Sequence, residues 1–545
     1  MKKSIWVLIA LVGGLLASCG GEKSEEPTGV NRFADEKIRR IYDYQDQRNT
    51  AKLIPFLKAK KVKDRMAAVL AFASIRDTAA VKYLKVALLT DEDKEVRKAA
   101  AYSIGQLRDT NQVGLLFTAL EMEIFPEVRE EIFVALGKSA NQQVAGYLNT
   151  YRTTITELQQ GHVQAMYHCL SKRQIGDFFA ANAMRYFNPV SSEKTKFYAA
   201  SIISRMPRMF TDSLRKDCEY ASRYTDNEEV KRLLALPFSK APETARYSWS
   251  AFLASSDTLN NRPYEWVNHL RTTDLSDERA IDSLKRWSFD QHFQVVRTTA
   301  AELYFKNQSE SDKQSEEHTN FMRRCITSRD MALQSLVCYE IVAQPDSAWL
   351  DILLRYRDSL AMPRQLETII DFDKAIAAIK ATTFVKPQTD LRHRIDWEHV
   401  LTIPSNQQVV METTKGDITL DLFVDDAPGS VSNFIKLVEE GFYTDKFFHR
   451  VVPNFVIQAG CPRGDGWGSL DWTQRSEFSN YQTYSTGTMG LASAGEDTEG
   501  VQIFITHNPT PFLDGRYTIF GRVTEGMDVV NSIKVGDKIK RVVKK

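Results

Sequence analysis

Arg450 and Gln458 stand in the stretch FFHRVVPNFVIQAG, Phe447 to Gly460, which otherwise reads as two short apolar strands joined at Pro453-Asn454. A guanidinium set part-way among valines and phenylalanines costs free energy unless something offsets it. It is also permanently charged, planar and rich in donors, so it can stabilise an electron pair that develops nearby without any proton transfer. The plainer reading is a surface strand whose arginine pairs with a carboxylate, an arrangement worth under about 1 kcal/mol. Other chemistry in the neighbourhood is weaker. Cys461 reads as an ordinary thiol, and Arg463-Gly464-Asp465 as a chance tripeptide in a turn-rich loop. Gly464, Gly466 and Gly468 do not follow a strand and open a helix as a phosphate loop would. Ser493 lies in Ala-Ser-Ala-Gly and not in a nucleophile elbow.

The elements around Arg450 can be read from their periodicity. VVMETTKGDITLDLFVDDAP, Val409 to Pro428, has two period-2 runs flanking Lys415-Gly416, which predicts a hairpin. SVSNFIKLVEEG places Phe434, Ile435 and Val438 on one helical face and Gly441 after its end. TGTMGLASAG, QIFIT, GRYTIFGRV and KIKRVVK read as further short strands, with EGMDVVNSIK as a second helix. Many short strands, turns and two helices predict a closed β-barrel capped by helices.

Three blocks in order, FHRVVPNFVIQAG, GLASAGEDTEGVQIFIT and FLDGRYTIFGRV, resemble the signatures of the cyclophilin-type peptidyl-prolyl cis-trans isomerases, and the resemblance covers residues 407–545. It implies an eight-stranded antiparallel barrel with two helices and rotation about X-Pro bonds with no metal or cofactor. It gives Arg450 the catalytic position and Gln458 that of the residue orienting it. Phe455, Val456, Phe504 and Leu513 match the lining of a proline pocket, and Gln502 a polar substrate contact. Ala492, Ser493 and Ala494 match backbone that holds substrate as an extended strand, a form of edge pairing. Strand alternation would put Phe455 and Val456 on opposite faces, so both can line a pocket only if the Pro453-Asn454 turn bends the chain. Two positions depart from the common family pattern: Phe512 stands where tryptophan is frequent and Tyr517 where histidine is frequent, as in bacterial members. Phe512 has no indole N–H to hold cyclosporin, while Tyr517 keeps an aromatic wall and a donor.

Preceding this turn-rich region is a glycine-poor one, with six glycines between Val30 and Pro404 against fifteen from Ser405 to Lys545. It contains a repeat of 32 residues: Arg65, Arg97 and Arg129; Asp77, Asp109 and Asn141; Leu84, Leu116 and Leu148. Each unit carries two apolar helices separated by a polar turn, which predicts an α-solenoid whose units bury their apolar faces against one another. The unit resembles a HEAT repeat. The repeated Arg and Asp or Asn are read as structural, closing turns and pairing along the stack. Residues 31–381 are therefore expected to form one helical array that degenerates after residue 150, followed by a connector at 382–406.

The N-terminus MKKSIWVLIALVGGLLASC combines two lysines, an apolar run and Leu16-Ala17-Ser18-Cys19, which resembles a bacterial lipobox. This implies a signal peptide at 1–18, diacylglycerol on Cys19 and a polar tether at 19–30. Gly20 is not the aspartate that retains some lipoproteins in the inner membrane, so the expected location is the cell envelope, anchored in the outer membrane. Lys and Arg total 71 and Asp and Glu 70, so no basic footprint for nucleic acid exists. The cysteines show no paired spacing and the histidines no HExxH, so neither a disulfide framework nor a metal site is expected. The function expected from these features is a lipid-anchored isomerase that assists folding of exported proteins, acting on proline-containing clients while the solenoid docks a protein partner. The alternative is a non-catalytic envelope scaffold whose barrel only grips proline-containing segments.

Overall fold

The computed structural model describes residues 31–170, 179–205, 212–238, 248–256, 262–387, 393–479 and 481–545. The expected signal peptide, Cys19 and the tether lie outside these residues.

Among the described residues every element from Arg32 to Ile379 is a helix. Most of the repeated residues act where the 32-residue spacing places them; Arg129 is the exception, its Nε buried without a hydrogen-bond partner among the described residues. Asp77, Asp109 and Asn141 each cap the turn that begins the second helix of a unit, accepting from the backbone N–H of Ala79, Asn111 and Val144. Arg65 donates to Asp91 at 2.9 Å and to the Ala59 carbonyl at 3.0 Å; one unit on, Arg97 donates to Glu123 at 2.7 Å and to the Asp91 carbonyl at 2.9 Å. Leu84, Leu116 and Leu148 are fully buried between the units. Close approach of neighbouring units depends on glycines at the helix contacts. A Cβ on Gly137 would stand 2.4 Å from the Cα of Ala165, and one on Gly161 would stand 2.7 Å from the Glu130 carbonyl oxygen, so helices Pro126–Lys138 and Thr156–Cys169 meet backbone to backbone. After residue 150 the helices continue without the 32-residue register, and from Trp249 onward they form a second core around Trp266, Trp287, Tyr304 and Phe321.

The C-terminal region is one antiparallel sheet of eight strands: β1 (Gln408–Thr413), β2 (Gly416–Leu422), β3 (Arg450–Val452), β4 (Val456–Ala459), β5 (Thr488–Leu491), β6 (Ile503–Thr506), β7 (Ile519–Glu525) and β8 (Ile539–Lys544). Their order is β3-β4-β6-β5-β7-β2-β1-β8. The outer strands β3 and β8 do not pair along their length, so closure is only partial. It runs through a bridge between Phe447 and Lys538 and a hydrogen bond from the Phe448 N–H to the Asp537 carbonyl at 2.8 Å. Helices Pro428–Glu439 and Met527–Ser532 accompany the sheet, the first starting at a proline whose fixed φ suits a first helical position.

The connector is more structured than its lack of periodicity suggests. It carries a one-turn helix, Trp397–Val400, whose His399 Nδ1 lies 2.9 Å from Ser432 Oγ, while Lys436 reaches Asp396 at 2.6 Å. Asn31, at the start of the array, donates to the carbonyls of Val400 and Ile403. The two regions are thereby packed together. Buried residues of the array from Phe33 to Leu234 and of the barrel form one contiguous core cluster.

Candidate active site

The turn between β3 and β4 sets the geometry of Arg450. Asn454 takes φ 62°, a left-handed conformation that Asn tolerates better than most residues, and the Phe455 N–H closes the turn on the Val452 carbonyl at 3.0 Å. This places Arg450 directly opposite Gln458 in the β3–β4 register. It also bends the chain so that the half-buried Phe455 and the buried Val456 line the same cavity despite being adjacent in sequence.

Arg450 Nη1 donates to Gln458 Oε1 at 3.3 Å. Gln458 Nε2 in turn donates to Gln502 Oε1 at 2.9 Å, and Gln502 Nε2 donates to the carbonyls of Gly466 and Gly468 at 3.0 and 3.2 Å. Each amide has its oxygen and nitrogen assigned by the next, so the guanidinium is aimed by a chain that ends on backbone. The resemblance gives Gln502 a substrate contact; here its amide is engaged in holding Gln458. The Arg450 side chain is exposed in the groove, less enclosed than its apolar sequence neighbours suggest, with its guanidinium carbon 5.9 Å from the Phe455 ring centre. Partial desolvation lowers the Arg450 pKa from its ordinary value, and the Tyr517 phenol opposes the shift. The neighbouring His449 is buried, which pushes its pKa down to about 4 and leaves a neutral imidazole beside the cation.

Beside Arg450 a cavity of about 260 Å³ is lined by Phe455, Val456, Phe504, Leu513 and Tyr517, with Ala492 and Ser493 at its rim. Its aromatic walls are fixed by packing. Phe455 stacks on Phe512 at 5.6 Å, and Phe504 stacks on Tyr484 at 5.5 Å while meeting Tyr517 edge-on at 5.9 Å. Gly490 allows this: a Cβ there would stand 2.7 Å from the end of the Phe504 ring. The loop carrying Leu513 and Tyr517 is held by Asp514, which accepts the Tyr484 N–H at 2.8 Å and whose pKa burial pushes up to about 7. The segment Ala492–Ala494 continues β5 past its pairing with β6, the Ala492 N–H donating to the Gln502 carbonyl at 2.9 Å. Arg450, Phe455, Val456, Gln458, Ala492, Ser493, Phe504, Leu513 and Tyr517 thus line one cavity, with Phe512 stacked on Phe455, while Ala494 and Gln502 line the neighbouring cavity and Cys19 lies outside the described residues.

The sequence gives no sign of what borders this groove. A second cavity of about 110 Å³ joins Gln458, Gln502 and Ala492–Ala494 to Pro363, Arg364, Leu366 and Glu367 of the helical array. A third, of about 380 Å³, places Arg271 and Glu302 of the array across from Arg450. Arg463 of the tripeptide read as incidental donates to Asp330 at 3.1 Å, and Asp465 accepts from Thr298 Oγ1 at 3.0 Å, so this loop docks barrel to array. These contacts join residues more than a hundred positions apart, which no local pattern can signal.

A family described as "Cyclophilin type peptidyl-prolyl cis-trans isomerase/CLD" matches residues 408–545, and HEAT repeats match residues 50–137. "Peptidyl-prolyl cis-trans isomerase B" of Bacillus subtilis (strain 168) is 45% identical over 126 residues, 23% of this chain and 88% of that protein. A "Peptidyl-prolyl cis-trans isomerase" of Synechococcus elongatus is 45% identical over 134 residues, 24% of this chain and 92% of its own length. One of Helicobacter pylori (strain J99) is 45% identical over 136 residues, 24% of this chain and 84% of its own.

Proposed function

The chain belongs to the cyclophilin-type peptidyl-prolyl cis-trans isomerases through its C-terminal region, and we propose that Arg450 is the group that lowers the barrier to rotation. Rotation about a peptide bond is slow because resonance makes the C–N bond partly double, with a barrier of about 18 to 20 kcal/mol. X-Pro bonds take tens to hundreds of seconds. Twisting breaks the resonance and leaves a lone pair on the prolyl nitrogen. A donor aimed at that pair binds the twisted state more strongly than either planar isomer, which is the differential binding that accelerates a reaction. The observation that carries this reading is the chain from Arg450 through Gln458 and Gln502 to the Gly466 and Gly468 carbonyls, beside a cavity of proline-accepting character. A protein that merely gripped proline segments would have no need of an aimed donor.

We further propose that the enzyme is a lipoprotein anchored through Cys19 in the outer membrane, where it assists folding of exported proteins. Leu16-Ala17-Ser18-Cys19 and the apolar run before it support the anchor, and several acyl chains hold a protein at a membrane without a spanning segment. Among the described residues no helix is long and apolar enough to cross a membrane. The helical array is assigned the docking of a protein partner, in keeping with the extended surfaces such stacks present. The full-length chain should accelerate refolding of an exported protein whose slow phase is proline-limited, and Cys19→Ala should move the chain from the membrane to the soluble fraction. An unchanged refolding rate would contradict the first assignment, and a membrane-bound Cys19→Ala the second.

A further inference from the structure

The aromatic pair Phe455 and Phe512 is flanked by two guanidinium groups from different parts of the chain. Arg450 stands over Phe455, and Arg205, which follows helix Glu193–Ser204 of the array, stands over Phe512 with its guanidinium carbon 4.7 Å from the ring centre. Arg205 is oriented from behind by the Tyr167 hydroxyl, 3.3 Å from its Nη1. It is exposed, as is Arg516 on the barrel loop between Leu513 and Tyr517, and Arg108 of the array is half-buried close by. Among the described residues none of these three arginines forms an ion pair with a carboxylate. The nearby carboxylates are otherwise engaged: Glu496 pairs with Arg76 at 3.1 Å, and Asp514 accepts the Tyr484 N–H. The cations feel one another. Burial and then its neighbours Arg516 and Arg76 push Arg108 down to about 10, and burial and then Arg205 lower Arg516. Like charges drawn together without counter-charges favour an anion from outside.

We infer that Arg205, with Arg516 and Arg108, forms an anion-accepting subsite at the Phe512 end of the proline groove, supplied mainly by the helical array, and that it selects polypeptide segments carrying an aspartate or glutamate near the proline. The inference rests on the isomerase reading of the groove. It gives the array a part in substrate choice: a residue more than 300 positions before the barrel loop stands against the Phe512 ring.

The test uses the full-length chain and labelled peptides built around one Xaa-Pro bond, with Glu, Gln or Lys placed two residues before the proline in one series and two after it in the other. Binding is read by fluorescence anisotropy and isomerisation by NMR exchange, so the subsite is measured even without turnover. Glu should outbind Gln by about two- to fivefold in at least one series, the scale of an exposed charge pair, with Lys weakest. The difference should shrink in about 0.5 M salt, where the Debye length falls to a few ångströms. The Arg205→Gln, Arg516→Gln double variant should bring the Glu and Gln peptides together. Should that variant fail to fold, Arg516→Gln alone, on an exposed loop position, should narrow the gap. Equal binding of Glu and Gln peptides in both series, or a preference that survives these substitutions in a folded protein, would overturn the inference. Peptides that bind with the Glu preference but do not isomerise would support the subsite and count against the isomerase reading alone.

Discussion

Arg475, in the long loop between β4 and β5, donates through Nε to Asp46 at 2.6 Å, joining the barrel to the last residue of the first array helix, Glu36–Asp46, with both side chains buried. Asp46 also accepts the Ile395 N–H at 3.3 Å, so barrel, connector and array meet at one carboxylate. Desolvating two charges is expensive, and such a pair contributes little net stability over apolar residues, but removing one partner strands the other. Asp46→Ala is expected to destabilise the protein by about 3 to 5 kcal/mol. Chemical denaturation should show this as a lower midpoint, and proteolysis should open first near residues 382–406. A midpoint unchanged from wild type would contradict the account of this junction.

A second prediction concerns the array alone. Gly137→Ala would drive a methyl group to 2.4 Å from the Ala165 backbone, which has no flexible end to move aside. Helices Pro126–Lys138 and Thr156–Cys169 must separate, and overpacking of this kind costs about 1 to 3 kcal/mol or more. Gly146→Ala, which meets nothing within 4 Å, is the control and should be neutral or slightly stabilising through helix propensity. Thermal denaturation of the two variants should separate them clearly.

The seams between the two regions were the part least legible in advance. Within the array, the caps repeat every 32 residues, and the arginine pair does so from Arg65 to Arg97, because each unit meets the same neighbour, so Asp77, Asp109 and Asn141 announce themselves by spacing. Within the barrel, period-2 alternation reveals the strands, and the three matched blocks gather Arg450, Gln458 and the cavity residues. Arg475, Arg463 and Arg205 have no such signal. Each is a lone charged residue in a loop or at a helix end, and its partner lies between roughly 130 and 430 positions away. The same holds for the partial closure of the sheet, since a bridge from Phe447 to Lys538 leaves no periodic trace.

Acid should destabilise the array through His162. Its ring is fully buried, with Nε2 donating to the Leu148 carbonyl at 2.7 Å and Nδ1 accepting from the Tyr186 hydroxyl, a neutral tautomer. Burial pushes its pKa down to about 4 from an ordinary 6.5. The folded state therefore resists a proton that the unfolded state accepts, so this contribution is present above pH 6.5 and is lost as pH falls toward 4. His162→Asn should be less stable at neutral pH yet lose less on acidification over that window. Parallel stability profiles for wild type and variant would contradict the assignment.

Cyclosporin is expected to inhibit weakly. Phe512 offers no ring donor, and its outer face is covered by Arg205 at 4.7 Å. Titration of the inhibitor against peptide isomerisation should give an inhibition constant well above the nanomolar range; a nanomolar constant would show that neither feature matters.

The central claim is that one aimed guanidinium does the catalytic work, and it is tested most directly by comparing full-length wild type with Arg450→Ala in NMR exchange on an Xaa-Pro peptide. Loss of a single preorganised donor is worth about 2.7 to 4 kcal/mol of transition-state stabilisation, so the rate should fall about 10²- to 10³-fold while peptide binding and the melting temperature change little. An inactive wild type, or an Arg450→Ala variant that isomerises the peptide as fast as wild type, would contradict the account.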